Sequence, residues 1–97
     1  MELDGKQRRK LKSMAHHLKP VVYIGKNGIT SGLMAAIEQA LNDHELIKIK
    51  FIDFKDEKRD FLEQITEATG AVILNLIGNI AIVFRQCRDE SKRKIEL

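Results

Sequence analysis

The sequence predicts an α/β domain of two layers, ordered helix, strand, helix, strand, helix, strand, strand, with right-handed crossovers, one antiparallel hairpin and the helices covering one face of the sheet. Three observations carry this prediction. Apolar residues recur at helical spacing in three separated segments. The stretches between them change to short β-branched runs or to period-two alternation. A Gly-Asn pair joins the last two of these runs, which makes them a hairpin.

In the first segment Leu11, Met14, Ala15 and Leu18 fall at i, i+3, i+4 and i+7, and Asp4 followed by Gln7 forms a capping-box pattern, which predicts a helix over residues 4–18. Pro20 ends it, because the ring disfavours helical geometry at Lys19. The run Val21, Val22, Tyr23 and Ile24, closed by Gly25, reads as a buried strand. Thr30 or Ser31 caps a second helix carrying Leu33, Ala36, Ile37, Ala40 and Leu41, which stops near His44, itself expected to be half-buried or stabilised by the helix dipole. From Leu46 to Ile52 the period changes to two, with Ile47, Ile49 and Phe51 on one face and Lys48 and Lys50 on the other, so this strand has a partly wet face.

Asp56 is the expected N-cap of the third helix, whose inward stripe is Phe61, Leu62, Ile65 and Ala68 and whose left-handed terminator is Gly70. Val72–Ile77 and Ile80–Arg85 are the hairpin strands, with Gly78 and Asn79 suited to positive φ angles in the turn between them. Ninety-seven residues hold one core, so residues 1–85 are expected to form the domain and residues 86–97 a loosely held basic tail.

Charge is distributed unevenly. Residues 1–30 hold seven basic and two acidic side chains and residues 81–97 hold five and three, whereas residues 31–80 hold five and nine. The single cysteine, Cys87, allows no internal disulfide and is expected to be inert. No apolar run reaches the length of a signal peptide or a membrane span, so the expected setting is the cytoplasm, with no membrane partner.

Between the first strand and the second helix lies the loop Gly25-Lys26-Asn27-Gly28, followed by Ile29 and Thr30. Two glycines permit a sharp turn and close approach of a ligand, the following helix offers unpaired N–H groups at its positive end, and Lys26 adds a full charge. A Gly-x-x-Gly loop in such a place can clamp a nucleic-acid backbone, although a glycine pair alone can equally serve only to shape a turn. The loop lacks the Lys-Ser or Lys-Thr of a Walker A sequence and the Gly-x-Gly opening of a dinucleotide fingerprint, which disfavours a small-nucleotide site.

Lys6, Arg9, Lys10, Lys12 and the nearby Lys19 surround the apolar stripe of the first helix. A phosphate backbone rewards such one-signed clustering through counterion release, and neutralising four to six phosphates of a single strand would give a slope of log affinity on log salt of roughly −3 to −4. Arg85, Arg88, Lys92, Arg93 and Lys94 are candidates to extend that surface. His16, His17, His44 and Cys87 lack metal-ligand or Cys-His catalytic spacing, and no acid/base pair on a shared apolar site indicates an enzyme. Tyr23 and the Phe residues are candidates for base stacking, but Phe51, Phe61 and Phe84 sit in apolar patterns that assign them to the core.

Several ordered motifs together, Leu18-Lys19-Pro20-Val21-Val22, Gly25 through Thr30, His44-Glu45-Leu46-Ile47-Lys48, Thr69-Gly70-Ala71 and Ile77-Gly78, give the chain a resemblance to the bacterial YhbY family, the stand-alone form of the CRM domain (chloroplast RNA splicing and ribosome maturation). The resemblance covers nearly the whole chain. It implies a fold similar to the C-terminal domain of bacterial translation initiation factor three, with strand order 1-2-4-3 in a four-stranded mixed sheet. It also implies RNA binding and association with precursors of the large ribosomal subunit, with Gly25, Lys26, Asn27 and Gly28 as the RNA contact. The first-helix residues Lys6, Arg9 and Lys12, together with Lys19, extend that contact on the ground of charge alone. Where the family often has Tyr-Arg-Pro, this chain has Phe84, Arg85 and Gln86, which leaves the path of the tail open. The expected function is thus a non-catalytic, cofactor-free, monomeric RNA-binding protein that assists large-subunit assembly. The alternative is a protein-interaction module whose basic surface meets an acidic partner.

Overall fold

The computed structural model describes residues 2–97 and contains α1 (Gly5–Ala15), β1 (Val22–Ile24), α2 (Ser31–His44), β2 (Leu46–Phe51), α3 (Lys58–Thr69), β3 (Val72–Ile77) and β4 (Ile80–Phe84). The element order is the predicted one. The sheet order is β1-β2-β4-β3, with β1 parallel to β2 and the other pairs antiparallel, the mixed arrangement that the resemblance implied.

Residues paired across neighbouring strands share a face, which sorts the core into two groups. Val22, Ile24, Ile47, Ile49, Phe51, Ala81 and Val83 point to one face and pack with Ile37 and Leu41 of α2 and Leu62 and Ile65 of α3. Leu46, Ile82 and Phe84 point to the other, where they meet Leu11 and Ala15 of α1. The expectation that all helices cover one face is therefore corrected. α2 and α3 form the helical layer, while α1 lies on the opposite side, because the alternating positions of β2 and β4 supply an apolar patch there that Leu11 and Ala15 of α1 cover.

α1 opens with the predicted capping box, the Asp4 carboxylate accepting from the Gln7 N–H at 2.7 Å and the Gln7 side chain accepting from the Asp4 N–H at 3.1 Å. It ends at Ala15, three residues before the predicted limit, as the chain tightens into i−3 bonds from the His16 and Leu18 N–H groups. Met14 and Leu18 are consequently 40% and 39% exposed, and the buried stripe shrinks to Leu11 and Ala15. Thr30 is the N-cap of α2, its hydroxyl accepting from the Leu33 N–H at 3.0 Å. His44 sits in the last turn of α2, near the negative dipole end, but is exposed rather than half-buried.

Asp56 does not cap α3. It lies within a 3-10 turn, Lys55–Glu57, entered through Phe54 in the left-handed region at φ 55°, and α3 starts only at Lys58. Lys58 instead ties the helix start to the hairpin, donating to the Gly78 carbonyl at 2.8 Å. Within that hairpin turn only Gly78 takes a positive φ, 57°, so Asn79 does not use the conformation expected of it. β3 carries an unforeseen irregularity between Ile73 and Asn75, which inserts Leu74 into the α1-side core. The Arg8 guanidinium donates to the carbonyls of Ile73 and Leu74 beside it.

The last residues are not loosely held. Glu45, fully buried, follows α2 with φ 63°, and its carboxylate accepts from the backbone N–H groups of Cys87 and Lys94, both at 2.6 Å, and of Ile95 at 3.0 Å. Ile95 is buried in the α1-side core, so the tail returns across the sheet end and closes that cluster.

Candidate nucleic-acid interface

β1 ends at Ile24, and the chain turns through Gly25–Gly28 with the Gly28 N–H donating to the Gly25 carbonyl at 3.0 Å. The two glycines differ in their reasons. Gly28 has φ +64°, a conformation that costs an L-residue about 1–2 kcal/mol, and the position of an added Cβ would touch the Phe54 and Phe61 rings at 3.5 and 3.6 Å. Gly28 is therefore a structural requirement of the turn. Gly25 has neither constraint, since nothing lies within 4 Å of its Cβ position. A smooth, open backbone at Gly25 is a property the fold does not demand and a close-approaching ligand would use.

Lys26 and Asn27 form the exposed tip, while Gly28 is buried and Ile29 packs on the core below. Directly after the tip, α2 presents its N-terminus with no acidic residue in the first turn, so its partial positive charge is not offset within that turn. The sequence-predicted loop residues thus converge on one anion-favouring surface.

The predicted helix cations lie elsewhere. Lys6, Arg9, Lys12 and Lys19 are all exposed, on or just beyond α1. α1 packs at the Leu46 end of β2 and the loop follows Ile24, which pairs with Phe51 at the other end, so about 17 Å of strand separates the two groups. Only two ion pairs form among the described residues, Arg85–Glu38 at 2.9 Å and Arg93–Glu90 at 3.8 Å. Lys6, Arg9, Lys12, Lys19 and Lys26 accordingly have no close carboxylate.

Of the tail cations, Arg85 is committed to the fold. Its guanidinium bridges the Glu38 carboxylate, the Thr69 carbonyl at 3.0 Å and the Asn42 side chain at 2.8 Å, joining the ends of α2 and α3. Arg93 similarly donates to the Cys87 carbonyl at 2.7 Å. Arg88, Lys92 and Lys94 stay exposed. His16 and His17 stack edge to face at 5.3 Å on the surface past α1.

Tyr23 was a stacking candidate and Lys50 lay on the expected wet face of β2, but the row that joins them was not foreseen. On the α1-side face, Tyr23, Lys50, Ile80 and Ile77 pair in register across all four strands. None of this row belongs to the core that α1 buries, Tyr23 stands two residues before the glycine loop, and Tyr23 is 54% exposed. The signal was the alternation of Lys48 and Lys50, which marked a wet face of β2, combined with β1 at the sheet edge, which a buried-strand assignment concealed.

A model of the CRS1 / YhbY (CRM) domain matches residues 3–85. The chain belongs to this family. This CRM domain is 40% identical over 87 residues to the Probable RNA-binding protein PA4753 of Pseudomonas aeruginosa, covering 89% of this chain and 84% of that one. It is 44% identical over 84 residues to a protein of Haemophilus influenzae named RNA-binding protein, covering 86% and 85% respectively. Its fold is similar to the solution structure of the hypothetical protein SAV1595 from Staphylococcus aureus, with TM-score 0.76, 32% identity, and coverage of 98% of this CRM domain and 100% of that chain. No helix among the described residues is long and apolar enough to cross a membrane.

Proposed function

We propose that this CRM domain is an RNA-binding protein that associates with precursors of the large ribosomal subunit and assists their assembly in the cytoplasm, acting as a monomer and without a cofactor. The observation that carries the reading is the glycine loop. An exposed Lys26 stands on an open backbone at Gly25, immediately before a helix N-terminus that has no acid in its first turn. Backbone N–H groups, dipole and ammonium charge then act on the same phosphate, a combination that positions RNA without reading its sequence. Lys6, Arg9, Lys12 and Lys19 supply a second cationic site for the same strand. The names of the relatives, which refer to RNA binding, support the choice of RNA as partner. The motifs shared with the YhbY family support the ribosomal setting.

Sedimentation of the tagged protein from gently lysed cells at low salt tests this reading. Co-migration with large-subunit precursors, abolished by RNase, is the expected result. Migration at the top of the gradient, or co-migration that survives RNase, favours the protein-interaction alternative.

A further inference from the structure

We propose that the row Tyr23-Lys50-Ile80-Ile77 is a further RNA contact, which receives an unpaired base on the Tyr23 ring while Lys50 and its neighbours neutralise the adjoining phosphates. The proposal rests on the RNA-binding reading above and adds to it a preference for single-stranded segments.

The row is a consequence of how the sheet is covered. On the face opposite α2 and α3, successive rows of side chains run across the strands, one through Leu46 and Phe84, the next through Lys48, Ile82 and Asn75, and the last through Tyr23, Lys50, Ile80 and Ile77. α1 buries the first row and Ile82 of the second. Its flank, Lys12 and His16, lines one hollow with Lys48 and Asn75 of the second row and Ile77 and Ile80 of the last. In the last row the two ends, Tyr23 and Ile77, are exposed and the middle, Lys50 and Ile80, is half-buried. Ile77 is 62% exposed, and Tyr23 is held at its hydroxyl end by donation to the Pro20 carbonyl at 3.4 Å with more than half its surface free.

An uncovered sheet face can receive many things, and charge decides among them here. The three rows and the α1 flank contribute Lys12, Lys50 and Lys48, the last with its ammonium donating to the Leu18 carbonyl at 3.0 Å, and no carboxylate, which suits a polyanion. A phosphate strand with exposed bases also supplies flat apolar rings for Tyr23 and the isoleucines, which a duplex with stacked bases does not. The row further lies between the α1 cations and the glycine loop, since Tyr23 is two residues before Gly25. On this proposal a strand held at both ends crosses it.

Tyr23 is the only tyrosine and the chain has no tryptophan, so intrinsic emission reports this one ring. The test titrates the full chain with a single-stranded RNA about 12 nucleotides long, within the site sizes common for single-strand binders, and with a duplex of the same length. Binding is followed by anisotropy of labelled RNA and, separately, by tyrosine emission with unlabelled RNA. The expected result is quenching that saturates with the anisotropy change for the single strand, with weaker binding of the duplex. Tyr23→Leu should weaken single-strand binding about tenfold while Tyr23→Phe stays within about twofold. Lys50→Gln should reduce the salt slope by about 0.7. Single-strand binding with unchanged emission and full affinity of Tyr23→Leu would overturn this proposal and leave the RNA-binding reading standing. Absence of binding to either RNA at low salt would overturn both. Thermal melting of each variant separates loss of contact from loss of fold.

Discussion

Replacing Glu45 with alanine is expected to destabilise the protein by about 2–4 kcal/mol, because charge-assisted hydrogen bonds from three backbone N–H groups are lost and those groups must either stay unpaired or rejoin water. The buried carboxylate holds Cys87, Lys94 and Ile95 at once, so the physical outcome is release of the tail and exposure of Ile95. For a domain of this size the loss corresponds to a fall in Tm of roughly 10–20 °C. Glu45→Gln keeps the volume but turns one acceptor into a donor facing other donors, and should retain part of the stability. Glu45→Gly should be milder than alanine by about 1 kcal/mol, since it relieves the positive φ that the present residue endures. Thermal melts of the three variants check the order, and a wild-type melt for Glu45→Ala would show that the carboxylate is not the clamp.

Charge reversal at the loop tip, Lys26→Glu, is expected to weaken RNA binding about tenfold or more at low salt and to reduce the salt slope by about 1, with no change in the melt. The side chain is exposed and has no ion pair to lose, so the fold has no stake in its charge. The two glycines should separate by readout. Gly28→Ala must hold a left-handed φ with a side chain and should lose about 1–2 kcal/mol of stability. Gly25→Ala has open space and should melt as the wild type, while binding RNA less well, because on the proposed reading its methyl group would stand where the backbone of the ligand approaches. Affinity titrations at several salt concentrations alongside melts resolve these outcomes. Equal RNA affinity in Lys26→Glu would remove the loop from the interface.

Local periodicity recovered most of this fold because most elements are amphipathic on their own. The stripe of α2 and the alternation of β2 each specify both an element and its buried side. Periodicity does not say which sheet face a helix joins, however, and α1 went to the face opposite the expected one because the Leu46, Ile82 and Phe84 patch lies there. The Asp56 cap failed because the left-handed turn at Phe54 leads into a 3-10 turn that delays the helix by one residue. Tail docking was unreadable since it depends on one carboxylate, Glu45, that meets its donors some 42 to 50 positions later. At the candidate interface, the glycine loop is local in sequence and was legible. The Tyr23 row was not, because it exists only once four strands are placed side by side in register.

The most direct test of RNA contact at the glycine loop is a residue-resolved amide titration of the isotope-labelled protein with single-stranded RNA. The account predicts that the largest shifts fall on Gly25 through Gly28 and on Ser31 and Gly32 at the start of α2, with smaller ones along α1. Shifts confined to the outer faces of α2 and α3, with the loop amides unmoved at saturation, would contradict it.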